Sequence, residues 1–536
     1  MKSENAKFLS LIEVGVALTA EKSFEKILEL ILQKGMEISN ADASSIYLIE
    51  KIKQEAEPFP IQVSHLRFLK TANRTRGTRL RDRLLDLNRK SLAGFVAVEG
   101  KALRIKDAYD LPPDVPYKFE KKYDADLKYR SKSMMVLPLK SAEGQVLGVL
   151  QIINKVRDDF DWDLSVEPTE PDFVEFSEED ENLLTALASQ AAVALNNLKL
   201  NREIKNLFES FVKASVMAIE SRDPTTSGHS DRVALLTVET ALILNRVEIG
   251  KFRTVQFNSQ QIRELRYASL LHDFGKIGVK EDVLSKEKKL FPHELEALML
   301  RLESAKALHQ AESWKNFSHA LLDQIECGCP IHQLKQQKTD LEQKLSAFEN
   351  KLLLLRKNVL TANEPMVMAQ DLDIKKVIGE IDELSTNFGQ NLLSDEVRMR
   401  LSIPKGSLSE LERKEIESHV THTFRFLSEI AWTEELSNVA EIAHAHHEKL
   451  DGSGYPRGLT DLQIPLQSKI MTIADIYDAL TARDRPYKKA LDTERALNIL
   501  NYEARNNKVD QDLLKLFIDA KVWTCLNDGS LLKKAS

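Results

Sequence analysis

Cysteine is nearly absent, with three residues in 536: Cys327, Cys329 and Cys525. Three thiols cannot build a disulfide framework, which excludes a small stapled secreted domain and makes a reducing, cytoplasmic setting the expectation. No run of about 18 uncharged apolar residues occurs, so no membrane-spanning helix is expected. The N-terminal stretch FLSLIEVGVALTA (8–20) is interrupted by Glu13 and reads as an amphipathic opening helix rather than a signal peptide. An excess of positive charge is missing as well. The net charge is −7 and the pI near 6.0, which argues against a basic surface for a nucleic-acid polymer. The length leaves room for two or three domains, each with its own core.

Proline and glycine are absent from Ser177 to Arg222, and Leu184, Leu187, Ala191, Leu195 and Leu198 recur there at three- and four-residue steps. Ser177 followed by Glu178, Glu179, Asp180 and Glu181 is a favourable helix start, because acids complement the positive end of the helix dipole. One long helix is expected, too long to bury its apolar stripe in a small domain and so suited to pairing with its copy in a parallel homodimer. Before it, the chain alternates between helical patterns (21–39) and strands: SSIYLIE (44–50), then Met134–Leu139 and Gln145–Ile153 around a hairpin at Gly144. Residues 67–90 hold nine basic and two acidic side chains, and residues 158–181 hold twelve acidic and no basic ones. Both runs read as solvated loops. Further on, Ile331, Leu334, Leu341, Leu345, Phe348, Leu352, Leu355 and Val359 follow a heptad pattern, with Lys338 the polar exception. With a second helical stretch at about 370–392, this predicts a helical hairpin within an insertion spanning 291–403, its apolar seam read as an antiparallel helix pair in preference to a second dimer seam.

The chemistry concentrates in the C-terminal part. His229, His272-Asp273, His419, His446-His447 and Asp475 supply five imidazoles and two carboxylates, a set suited to two first-row divalent metals bridged by an aspartate. Such a pair favours in-line attack on phosphorus, so a phosphodiesterase is expected. His272-Asp273 follows the apolar run LRYASLL, placing both at a helix end. His446 and His447 stand where the following DGSGYP ends a helix. Asp478 lies one helical turn after Asp475, on the same face. The other histidines (His65, His293, His309, His319, His332, His422 and His444) lack such surroundings and read as structural. Cys327, Cys329 and His332 offer three ligands within six residues, short of a closed zinc site.

HDFGKIG (272–278), HHEKLDGSGYP (446–456) and DIYDALTARDRPYK (475–488) resemble the HD-GYP family, metal-dependent HD hydrolases that degrade cyclic dinucleotides, over 205–290 and 404–520. The resemblance implies that His229, His272, Asp273 and Asp475 hold one metal, and that Asp273 bridges to a second held by His419, His446 and His447. Iron or manganese is the implied metal. It also implies that Lys276 contacts substrate phosphate, that Tyr455 lines the substrate pocket, and that Arg485 and Lys488 hold the dinucleotide. Two departures stand out. Thr225 occupies the position where some members carry a glutamate for a third metal, which favours a binuclear site, with Asp478 left as a third-site ligand. His419 follows Asp273 by 146 positions, an excess that the helical insertion accounts for.

SLAGFVAVEGKALRIKDAY (91–109) and SMMVLPLKSAEGQVLGVLQIINK (133–155) resemble a GAF domain, a sensory fold with a central antiparallel sheet. Asn154-Lys155, Phe176 and Asp180-Glu181 are similar to the NKFDE pattern of cyclic-nucleotide-binding GAF domains, in which lysine and aspartate act chiefly as a structural tie. The resemblance implies an unspecified small ligand. No cysteine is placed for a bilin, and a haem lacks support. The expectation is therefore an α+β chain: a GAF domain (1–180), a linker and dimerisation helix (181–222), and an all-α HD-GYP domain (205–290 and 404–536) carrying the insertion. Cyclic di-GMP is the expected substrate, cut to linear pGpG, with a further cut to GMP left open. The alternatives are 3′,3′-cyclic GMP-AMP as substrate, or a silent cyclic dinucleotide sensor.

Overall fold

A sheet covered on both faces organises the N-terminal part of the molecule, with the strands Met134–Lys140 and Val146–Val156 buried almost without a break. In the computed structural model, which describes all residues except 1, 55–60, 75–76, 128, 158, 161, 163–167, 170–171, 223–226, 328–329, 366–371, 483–489 and 528–536, the chain divides into two compact units, Met1–Phe208 and Glu209–Ser536. The first unit holds a seven-stranded sheet: β1 (Ala41–Gln54), β2 (Ile61–Asn73), β3 (Gly77–Asp86), β4 (Leu103–Ile105), β5 (Met134–Lys140), β6 (Val146–Val156) and β7 (Phe173–Val174). The spatial order is β3-β2-β1-β6-β5-β4, with β7 against β6, and the pairings are antiparallel. One face packs on the helix Phe24–Ser39 and the start of the helix Glu178–Arg222, through Ile31, Leu32, Leu137, Leu150, Ile152, Leu184, Leu187 and Ala191. The other face is covered by the helix Leu92–Glu99. The fold class is α+β, as expected.

The basic run differs from its reading as a loop, because β2 and β3 run through it. Leu66, Phe68, Lys70 and Ala72 alternate inward while Arg67 and Thr71 are only half-buried. Lys70 is 6% exposed and its Nζ lies 2.6 Å from Glu29 Oε1. Net charge along the run conceals this two-residue period. The acidic run likewise contains β7 and the first turn of the long helix, where Lys155 Nζ hydrogen-bonds Asp180, itself capping the helix start by accepting from Ser177 N at 2.7 Å. Lysine and aspartate of the NKFDE-like pattern thus tie β6 to the helix.

The second unit is helical. His229–Leu244, Ser259–Leu271, Glu410–Ser428, Val439–His444 and Leu466–Thr481 enclose an apolar centre that includes Leu236, Leu265, Leu271, Val420, Leu427, Ile442, Met471 and Ile473. Capping boxes start two of these helices, Asn258 with Gln261 and Ser409 with Glu412. Between 291 and 403 come the helices Pro292–Glu326, Ile331–Ala362, Ile374–Phe388 and Asp395–Leu401, which share a core of Leu298, Leu302, Leu352, Leu355, Val359, Ile381 and Val397. Only the later part of the heptad seam is buried; Ile331 is 72% exposed. The two ends of this segment are pinned together. Glu412 receives Lys286 Nζ at 2.8 Å and Arg400 Nε at 3.2 Å, and Ser407 Oγ donates to Lys286 O at 3.0 Å. An insertion whose ends lie side by side leaves the helix that bears His419 in register with the helices before it.

Candidate metal centre

The seven residues singled out as ligands come together. His229 opens its helix. His272 closes the helix Ser259–Leu271, and Asp273 leads into the tight turn Phe274–Gly278. His419 lies within Glu410–Ser428, His446 and His447 follow Val439–His444, and Asp475 sits in Leu466–Thr481. Three overlapping groups have their ligand atoms mutually within 4.8 Å: His419, His446 and His447; His229, His272 and Asp273; and His272, His446 and Asp475. The two oxygens of Asp273 face different halves of the cluster. Oδ2 lies 3.8 Å from His229 Nε2 and 3.6 Å from His272 Nε2, while Oδ1 lies 3.3 Å from His419 Nε2. Asp475 Oδ1 is 3.2 Å from His229 Nε2, and its Oδ2 is 4.0 Å from His447 Nδ1.

Each imidazole needs its other nitrogen fixed before it can act as a ligand. His272, His419 and His446 direct Nδ1 to the carbonyl three residues earlier, Ser269, Ile416 and Ala443, at 2.7, 2.5 and 2.6 Å. Their Nε2 atoms are buried without a hydrogen-bond partner. Three orphaned ring nitrogens in one buried cluster are costly unless something accepts their lone pairs. The donor set, imidazole and carboxylate, fits divalent transition metals.

The electrostatics agree. Burial alone would raise the Asp273 carboxyl, but the charges of Lys276 and His272 and the nearby His419 ring hold it well below the usual carboxylate range. Asp475 is likewise held down against burial by His229 and His272. Burial depresses His446, and pushes His447 down to about 4, so both rings are neutral near pH 7. Burial opposes protonation of His229 also, but Asp475 and Asp478 prevail and raise it to about 9, so a metal must displace a proton there.

Several supporting contacts had no clear mark in the sequence. Thr423 Oγ1 donates to His272 O at 2.9 Å and accepts from Gly275 N at 2.8 Å, clamping the turn after Asp273 to the helix of His419. Glu448, 2% exposed, accepts from Arg457 N and Leu459 N at 2.7 and 2.9 Å and so shapes the loop that holds Tyr455. The Tyr455 ring lies 4.8 Å from that of His447. Burial, with Asp475 and Asp273 nearby, raises its hydroxyl and keeps it a neutral phenol. Lys276 Nζ lies 2.8 Å from Asp273 Oδ2. Asp478, left open as a third-site ligand, has its Oδ2 2.8 Å from His229 Nδ1, and its Oδ1 accepts from Arg232 Nε at 2.7 Å. Thr225, Arg485, Lys488 and Cys329 lie outside the described residues. Cys327 is exposed. No helix among the described residues is long and apolar enough to cross a membrane.

In comparison with known proteins, residues 23–195 match the GAF domain family and residues 367–513 the HD domain family. The HD match takes in His419, His446, His447 and Asp475 but begins after Asp273. A 3′3′-cGAMP-specific phosphodiesterase (number 1) of Vibrio cholerae is 27% identical over 220 residues, covering 38% of this chain and 48% of the relative. A second such enzyme from that organism (number 3) is 42% identical over 95 residues, 18% of this chain and 20% of the relative. A cyclic di-GMP phosphodiesterase of Thermotoga maritima is 42% identical over 97 residues, covering 18% and 26%. The chain thus spans from a fifth to about half of the length of these relatives.

Proposed function

From a chain that carries a GAF domain followed by an HD domain, we propose a metal-dependent phosphodiesterase of the HD-GYP type that hydrolyses a cyclic dinucleotide. The observation that carries this reading is the trio of buried, unpartnered Nε2 atoms of His272, His419 and His446 in a cluster with Asp273 and Asp475, the two Asp273 oxygens facing opposite halves of it. His229, His272, Asp273 and Asp475 would hold one divalent metal, and Asp273, His419, His446 and His447 a second, with iron or manganese suiting this donor set. Bound there, the metals would supply Lewis acidity to a phosphoryl oxygen and to the attacking water. Lys276 would neutralise phosphate charge, exchanging its contact with Asp273 for one with substrate. Tyr455, neutral and beside His447, would donate a hydrogen bond within the substrate pocket, and Arg485 and Lys488 would hold the dinucleotide. One water added across one phosphodiester P–O bond opens the ring to linear pGpG; a second addition yields GMP.

Relatives of both specificities bear on the substrate. Cyclic di-GMP is the leading choice, and the similarity to two 3′3′-cGAMP-specific enzymes supports 3′,3′-cyclic GMP-AMP as a second. Anaerobically purified, manganese-loaded protein given each dinucleotide should produce the linear product from at least one. Lys276→Ala should slow that turnover by about tenfold or more, since a charge-assisted contact contributes roughly 1.5–3 kcal/mol. Survival of both dinucleotides, with metal bound and linear phosphodiesters cut, would overturn the substrate class.

The division of labour in this reading is a GAF domain (1–180) that would bind a small ligand, a linker and dimerisation helix (181–222), a catalytic domain (205–290 and 404–536) and a helical insertion (291–403), in a cytoplasmic homodimer. Supporting the dimer, Val193, Leu200, Ile204 and Leu207 recur at heptad-compatible steps on the long helix and are 50%, 46%, 63% and 75% exposed. Light scattering at micromolar concentration should give twice the chain mass of 60.9 kDa. A strict monomer contradicts the pairing.

A further inference from the structure

The five histidines of the cluster are not oriented alike. For His272, His419 and His446 the tie at Nδ1 is a backbone carbonyl supplied by the preceding helical turn. His229 is the first residue of its helix and has no preceding turn to supply one. Its Nδ1 instead meets Asp478 Oδ2 at 2.8 Å. Asp478, only 1% exposed, is gripped by Arg232, whose Nε lies 2.7 Å from Oδ1 and whose Nη2 lies 3.1 Å from Oδ2. Arg232 stands one turn after His229 on the same helix, and its Nη1 also donates to Ser227 O at 3.1 Å. The arginine therefore fixes the carboxylate, and the carboxylate fixes the ring.

We infer that Asp478, clamped by Arg232, is a positioning residue for His229 that makes one of the two metal positions depend on a buried carboxylate behind a ligand, whereas His419 and His446 of the other position lean on backbone carbonyls. This rests on the binuclear reading above. An ionised carboxylate at Nδ1 makes the opposite nitrogen a stronger donor than a carbonyl does, and it holds the ring against rotation. The helix of Asp475 thus serves the same metal position twice, through Asp475 as a ligand and through Asp478 behind His229. With both oxygens engaged, Asp478 is unsuited to hold a third metal.

Manganese(II) titration of the full chain, read by bound metal per chain and by circular dichroism, tests this. Wild type should take up two ions. Asp478→Ala should weaken one of them by roughly 10–100-fold, as loss of an outer partner of a ligating histidine does, and leave the other unchanged. Combining it with His447→Ala, which removes a ligand of the other position, should weaken both. Asp478→Asn keeps an oxygen for His229 but loses the charge, and should weaken the same ion by a smaller factor; it also serves if the alanine variant fails to fold. Fewer than two ions in wild type would count against the binuclear reading itself. Two ions in wild type, with either variant unchanged or with both ions lost together, overturns the role of Asp478.

Discussion

Replacing Asp273 with alanine should reduce cyclic dinucleotide hydrolysis by roughly 10³-fold or more, a barrier increase of about 4 kcal/mol. It should also lower the manganese bound by folded protein below two ions per chain. The two oxygens of Asp273 address both halves of the cluster, 3.6 Å from His272 Nε2 through Oδ2 and 3.3 Å from His419 Nε2 through Oδ1, closer than the 4.0 Å at which Asp475 Oδ2 meets His447 Nδ1. Its removal takes a negative charge from a buried site and leaves three ring nitrogens with nothing to share. Asp273→Asn, which preserves shape but not charge, should fall nearly as far if the carboxylate is the bridge. Full turnover in either variant would sink the binuclear mechanism. Metal uptake measured alongside activity separates loss of the bridge from loss of the fold.

Gly275→Ala should be almost as damaging although glycine carries no chemistry. An ideal Cβ at this position would stand 1.9 Å from His419 O and 2.4 Å from Thr423 N, and both are backbone atoms of a packed helix that cannot step aside. The turn Phe274–Gly278 would have to move away from the helix Glu410–Ser428, and Asp273 and His419 would separate. Overpacking of this kind costs roughly 1–3 kcal/mol of stability, and a shift of about 1 Å between reacting groups can cost roughly 10²-fold in rate. The expected result is a folded protein with a lowered melting temperature, weaker metal binding and turnover down by about two orders of magnitude. Wild-type activity in Gly275→Ala would mean that the approach of these two elements does not set the site.

Much of the site was legible in the sequence because ligand chemistry leaves a local trace. His272-Asp273 stands at a helix end before glycine, His446-His447 stands before a turn-rich loop, and Asp475 lies on a helix; the structure has each in that setting. The continuous helix Glu178–Arg222 was legible for a similar reason, since 45 residues without a helix breaker leave few alternatives. The basic run was misread because charge was counted along the chain, whereas burial of Leu66, Phe68 and Ala72 follows alternate positions across it. Asp478 was seen as one more carboxylate beside Asp475. Nothing local tells a ligand from the partner of a ligand.

What the sequence by itself determined is which side chains have the chemistry to bind metal, the α+β class, and the long helix after Ser177, for these depend on side-chain chemistry and on patterns of a few residues. What only the tertiary structure decided is how those residues share the work. The facing of the two Asp273 oxygens, the pairing of Asp478 with His229 and Arg232, the clamp of Thr423 on Gly275, and the convergence of Lys286 and Arg400 on Glu412 all join positions separated by up to 249 residues. Distances of a few ångströms between such positions depend on how whole helices pack, and packing is a property of the assembled core rather than of any one segment.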